Sequence, residues 1–357
     1  MSHRIRPLLA FVLVAGLALP AVSPAQQVAA AGAYTKLSVT PAAKGAAIRA
    51  QTVHRKMFAV SPAVNAAAGR EGLSAAQAEA ATRGVQPQRT TSGPRFPGDL
   101  FYFGGATLAS TQHHAIYLQP NGQGCKVSNC WGNPEGFLRD LGRSRFVHVI
   151  DQYVGSTSNG RYGVGKGYTI AYPQDANPYT DADMITAVVA AAQQSGQVGY
   201  GHMYHVFLPP GVDECFDASY STCYSPDNPS TWYFCAYHGS VDIQGLGHVV
   251  YSVEPYQNVG GCSVLPGSPN GSLADSTNSV LSHEVFEAIT DPDGDGWWNL
   301  LNNGLFGQEI GDECSFLGIG ADGFLAFDPS LWTAGEERRY ATQPEYNNNT
   351  HSCTVTP

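Results

Sequence analysis

The chain is expected to fold as a disulfide-stabilised α/β (α+β) domain, a mixed sheet with packed helices. Strand-like alternation and helix-like periodicity are interspersed along it rather than segregated into halves. Eight cysteines, an even number, all lie at or beyond Cys125. Charged residues make up only 13% of the chain, alongside 40 glycines, 23 prolines and 18 tyrosines. That composition fits a loop-rich extracellular domain, in which disulfides add to the core.

The elements follow in order. Residues 1–25 read as a secretory signal peptide: a basic start at Arg4 and Arg6, an apolar run from Leu8 to Leu19, and Ser23-Pro24-Ala25 before Gln26. The apolar run is too short to span a membrane. Residues 26–95 are Ala-rich and cysteine-free, with little alternation, and only Leu73 to Gly84 has a helical look. This stretch is either a pro-segment or a linker. The main domain is expected over 96–357, long enough for one large core or a core with a smaller lobe. Within it, His113 to Pro120 alternates as a strand, and Asn133 to Gly142 reads as a short helix with Pro134 in its first turn. Thr180 caps a firmer helix that Gly196 stops, with Asp181 and Asp183 at its positive end. The stretches "MYHVFLPP", "TWYFCAYH" and "HVVYSVEP" read as strands ended by Pro209, Gly239 and Pro255.

Eight cysteines allow 105 connectivities. Local spacing favours Cys125 with Cys130, Cys215 with Cys223, Cys235 with Cys262, and Cys314 with Cys353. A Cys-x-x-Cys zinc pattern is absent from the sequence. The net charge of −10, with Lys and Arg scattered, excludes a phosphate-backbone footprint, so no nucleic-acid partner is expected. No Gly-x-Ser-x-Gly elbow or phosphate-binding glycine loop occurs.

The most chemically loaded stretch is "SVLSHEVFEAITDPDGDGWW", Ser279 to Trp298. On a helix, Leu281, Val285, Ala288 and Ile289 form one face, while His283 and Glu287 share another with Glu284 beside them. Asp275 or Ser276 is positioned to cap the start, and Pro292 ends the pattern. His283 and Glu287 are thus spaced to hold one metal while Glu284 handles a water. This is the logic of the His-Glu-x-x-His helix of zinc peptidases, with a glutamate in the second histidine's place. The bland alternative is a solvated helix that happens to carry two glutamates.

Downstream, "GQEIGDEC" offers Glu309 as a third ligand and Asp312 as its supporter or alternative, the two roles being exchangeable. A zincin-like arrangement with Zn²⁺ is expected from that set. Asp291, Asp293 and Asp295 form the front half of a calcium loop, but Asn302 occupies the position where the closing glutamate belongs. A Ca²⁺ site and a solvated acidic turn both fit. His238, at a strand end, is either a cleft residue or a satisfied core histidine.

The ordered motifs "GDLFYFGG", "FLRDLG", "YFCAYH", "SVLSHEVFEAITDP" with its following Trp, and "EIGDEC" resemble the phosphate-induced protein (EXORDIUM-like) family. The resemblance covers roughly Phe96 to Cys353. It implies secretion and, from the plant members, association with the cell wall and growth control. The family pattern falls on His283, Glu284, Glu287, Glu309 and Asp312. This chain departs from it at Asp291-Pro292 and the Asp-Gly run, where plant members usually carry Asn-Pro and an Asn-Ala-Trp stretch.

Two functions are therefore expected in competition. One is a secreted metal-dependent hydrolase, a zinc metallopeptidase acting on a peptide or protein substrate by Glu284-assisted attack of a metal-bound water. The other is a non-catalytic secreted protein of the cell surface, binding cell-wall glycan, with a structural metal.

Overall fold

A computed structural model describes residues 34–40, 50–59, 98–228, 230–264, 267–299, 309–315, 330–334 and 338–357. Its centre is an eight-stranded mixed sheet. The strands are β1 (Thr35–Ser38), β2 (Ala50–Ala59), β3 (Thr111–Pro120), β4 (Tyr162–Val164), β5 (Tyr168–Tyr172), β6 (His202–Phe207), β7 (Phe234–Ile243) and β8 (Gly247–Glu254). Their order is β1-β5-β3-β6-β8-β7-β2, with β4 paired to β3. From β1 to β8 the pairings are parallel, and β7 pairs antiparallel with both β8 and β2.

Three helices pack against this frame. Helix α1 is Pro134–Leu141, with the Asn133 side chain accepting the Gly136 N–H at 3.1 Å. Helix α2 is Asp181–Ser195, where the Asp183 carboxylate accepts the Thr180 N–H at 2.9 Å and Gly196 ends the helix at φ 70°. Helix α3 is Ser272–Thr290. The strands alternate between two apolar layers, as their period of two requires. Ile116, Leu118, Tyr204, Val206 and Tyr251 pack with Met184 and Val188 of α2. Tyr117, Met203, Phe207 and Val250 belong to a second core with Leu281, Val285 and Phe286 of α3. The sheet is therefore the middle layer of three.

Beyond α3 come the short α4 (Asp312–Ser315) and the hairpins β9 (Ser330–Ala334) with β10 (Arg338–Thr342) and β11 (Glu345–Asn347) with β12 (Ser352–Thr354). All four expected disulfides are present: Cys125–Cys130, Cys215–Cys223, Cys235–Cys262 and Cys314–Cys353. No described helix is long and apolar enough to cross a membrane.

Several expectations are corrected. The helix expected to start at Asp275 or Ser276 begins a turn earlier, at Ser272, with Gly271 before it at φ 84°. Asp275 instead accepts the backbone N–H of Asn270 at 2.9 Å and its side-chain amide at 2.9 Å. The strand expected to end at Gly239 runs on to Ile243, because β2 and β8 flank it and satisfy its backbone on both sides. The segment 26–95, read as lacking strand alternation, supplies β1 and β2, so the sheet extends beyond the 96–357 boundary. The 1–25 leader and the Leu73–Gly84 helix lie outside the described residues.

Candidate metal centre

Polar residues of α3 meet polar residues of the sheet and of the C-terminal tail in a site shielded from solvent. His238, His283, Glu284, Glu287, Glu309, Asp312 and Glu345 are all at most 2% exposed. Helical spacing puts His283 Nε2 3.0 Å from Glu287 Oε1. The turn that leads into α4 brings Asp312 Oδ1 to 3.7 Å from the same nitrogen, and the Asp312 N–H donates to Glu287 Oε1 at 3.1 Å. The Glu309 N–H donates to Asp312 Oδ2 at 3.3 Å. The Glu309 carboxylate itself points to the other histidine, with Oε1 3.6 Å from His238 Nε2.

His238 reaches the centre from β7. Its Nδ1 lies 3.3 Å from Glu284 Oε2 and 3.5 Å from Glu287 Oε2, and its Nε2 lies 3.2 Å from the Asp291 carbonyl oxygen. All the sequence-derived residues of the zinc reading therefore converge, with two adjustments. Asp312, not Glu309, completes the group around His283, and His238 is a full member rather than a bystander.

Two sets of buried donors could hold a metal ion: His238 with Glu284 and Glu287, and His283 with Glu287 and Asp312. In each set the ligand atoms lie within 4.8 Å of one another. Among the described residues, Glu284 Oε1 and Glu287 Oε2 are buried without a hydrogen bond. Buried carboxylate oxygens left in that state are costly, so a proton or a cation is needed there. Burial, and next the charge of Glu287, push the Glu284 carboxyl well above the ordinary range. Burial, followed by Glu287 and Asp312, does the same to Glu345. Burial also acts to raise Glu287, but His283 and His238 overcome it and draw this carboxyl down to about 2. An anion flanked by two imidazoles sits at the middle of an otherwise proton-hungry cluster. Carboxylate and imidazole donors of this kind suit zinc and other first-row divalent ions.

The second ring is also built in. The Gln343 side-chain amide donates to the Gly311 carbonyl at 2.9 Å and lies 2.8 Å from His283 Nδ1. On the sheet side, His113 Nδ1 and His205 Nε2 are 2.9 Å apart, His205 Nδ1 and Ser252 Oγ are 2.8 Å apart, and the Ser252 hydroxyl donates to Glu254 at 2.7 Å. Burial raises Glu254 to about 8, against the opposing bond from Ser252. Gln343, Glu345, Glu254 and His205 were not singled out from the sequence. One signal was available: in the apolar strands "YHGS" and "VYSVE", polar residues recur every second position, which marks a polar stripe on one sheet face.

The aspartate run does not join either donor set. Asp291 Oδ1 accepts the Gly296 N–H at 2.7 Å, closing a local turn. Asp293 accepts hydroxyl hydrogens from Tyr200 at 2.6 Å and Ser240 at 2.5 Å, and His248 Nε2 lies at 3.2 Å. Burial opposes these partners, yet they hold Asp293 down at about 2. The Gly105 N–H donates to the Asp295 carbonyl at 2.8 Å. These residues shape the loop after α3.

Comparison with protein-family models, curated proteins and solved structures finds no match. The family resemblance therefore rests on the motifs quoted above.

Proposed function

We propose that this chain is a secreted metal-dependent hydrolase, a zinc peptidase related to the EXORDIUM-like proteins. The reading is carried by one observation: His283, Glu284 and Glu287 of α3 meet Asp312 from a separate segment in one buried cluster. His283, Glu287 and Asp312 would hold the ion. When bound, it would supply Lewis acidity to the scissile carbonyl and acidify water. Glu284, on the same helix with one carboxylate oxygen unengaged, takes the proton of the attacking water and returns it to the leaving amine. Glu309 sits beside His238, where it supports that ring.

The test is cleavage of a broad peptide library by the purified protein. Cleavage abolished by chelator, restored by Zn²⁺ and lost in Glu284→Gln is the expected result. Equal cleavage by wild type and Glu284→Gln, or a protein free of bound metal, refutes the assignment.

A second reading is favoured by a different observation. Phe101, Tyr102, Phe103 and Tyr200 are each 40–52% exposed, an unusual density for large aromatics. Tyr102 and Phe103 pack on Trp297 and Trp298, and Tyr200 bonds Asp293, so all border the loop after α3. Such a platform suits the apolar faces of sugar rings, with the buried centre serving as a structural metal core. Titration with soluble cell-wall oligosaccharides, read by tryptophan fluorescence, separates this reading from the first: saturable quenching without peptide cleavage supports the binder.

A further inference from the structure

We infer that the centre is dinuclear, with Glu287 bridging two divalent cations. The inference deepens the hydrolase reading above and rests on the same helix. His283 Nε2 lies 3.0 Å from Glu287 Oε1 and 3.7 Å from Asp312 Oδ1, whereas His238 Nδ1 lies 3.5 Å from Glu287 Oε2 and 3.3 Å from Glu284 Oε2. One carboxylate thus presents its two oxygens to two separate donor sets.

The hydrogen positions at His238 point to the second ion independently. The Asp291 carbonyl can only accept, so the hydrogen of neutral His238 belongs on Nε2, 3.2 Å away. Nδ1 then turns a lone pair toward Glu284 Oε2 and Glu287 Oε2, at 3.3 and 3.5 Å. Three lone-pair donors facing one another in a buried space repel unless a proton or a cation lies among them, and a cation serves all three at once. An imidazole whose outer N–H is fixed by a backbone carbonyl while its inner nitrogen faces carboxylates has the arrangement of a metal ligand. Glu284 Oε1 and Glu287 Oε2, both buried without a hydrogen bond, mark the same unmet demand.

A shared carboxylate matches the spacing of about 3.5–4 Å common to two-metal hydrolytic sites. Glu284 binds the second ion through Oε2 and keeps Oε1 for proton transfer. The carboxylate-rich set admits Mn²⁺ or Co²⁺ as well as Zn²⁺.

The experiment loads the purified full chain with Zn²⁺, counts ions by elemental analysis after dialysis, and records the electron paramagnetic resonance of the Mn²⁺-loaded form. Two ions per chain with an exchange-coupled manganese signal are expected. His238→Asn and Glu284→Gln should each fall to one ion and lose the coupling, and circular dichroism identifies any variant that has failed to fold. One ion in the wild type overturns the dinuclear centre while leaving the hydrolase reading intact. Two ions without coupling, or two retained in both variants, place the second ion elsewhere and overturn it too. Two coupled ions without peptide cleavage uphold the centre and refute the peptidase.

Discussion

Replacing Gly311 with alanine would put a methyl carbon 2.4 Å from Nδ1 of His283 and 2.8–2.9 Å from Cε1 and Cγ. Ordinary contact begins at 3.4 Å, so the ring must retreat by about 1 Å. It has little room, because Gln343 holds Nδ1 at 2.8 Å and the residue is fully buried on α3. Overpacking of this kind costs about 1–3 kcal/mol. The metal should register it more sharply, since ligand distances tolerate only about ±0.2 Å. A drop in zinc affinity of about 10- to 100-fold or more is expected, comparable to losing an outer-shell support. Competition with a chromophoric chelator measures the affinity, and urea unfolding of the same sample measures the stability. Wild-type affinity in a folded Gly311→Ala protein would show that His283 is not a ligand.

Gln343→Ala should also weaken zinc binding by about 10-fold or more while leaving the fold intact, because it frees the His283 ring without crowding it; chelator competition checks this. The Cys314–Cys353 bond closes a separation of 39 residues and ties the tail to α4, whose Asp312 contacts Glu287. Replacing both cysteines with serine should destabilise the protein by about 4 kcal/mol or less and lower metal affinity more than losing Cys125 and Cys130 does. Equal metal retention in both double mutants would uncouple the tail from the centre. Burial, and then the neighbouring His114, hold His113 at about 3, and His205 lies well below its ordinary value for the same first reason. The unfolded chain takes up these protons below about pH 6.5 and the folded chain does not, so the contribution of these two histidines to stability falls as pH drops from there, whereas the raised carboxyls of Glu284, Glu254 and Glu345 act in the opposite sense. The slope should approach about 1.4 kcal/mol per pH unit for each histidine. The difference in urea midpoint between metal-free wild type and a His113→Asn, His205→Asn double variant, followed between about pH 4 and 7, tests this, and a difference that does not change with pH contradicts it.

The candidate site was legible where its residues are local in sequence. His283, Glu284 and Glu287 announce themselves by helical spacing, and the downstream Glu-Ile-Gly-Asp by its motif. The choice between Glu309 and Asp312 was not legible, since it depends on which carboxylate turns toward which histidine. His238 was ambiguous because a strand-end histidine says nothing of what lies above the sheet. Gln343 and Glu345 sit in a tail whose only advertised feature is Cys353. Among the elements, Asp183 and Gly196 bound α2 clearly. The run "AQTVHRKMFA" of β2 begins in an alanine-rich context that obscured its strand character, and only a distant partner reveals it.

The sheet owes both of its outer edges to one short leader: β1 covers one side and β2 the other. Their partners lie on the order of 100 or more residues further along the chain, so the first strands to be synthesised are among the last that can dock. Until they do, β5 and β7 present open backbone to solvent and to any neighbouring chain. Strands β1 and β2 therefore act as a clasp on assembly. A truncation starting at residue 96 should yield a protein that self-associates through its sheet edges before it fails in any chemistry.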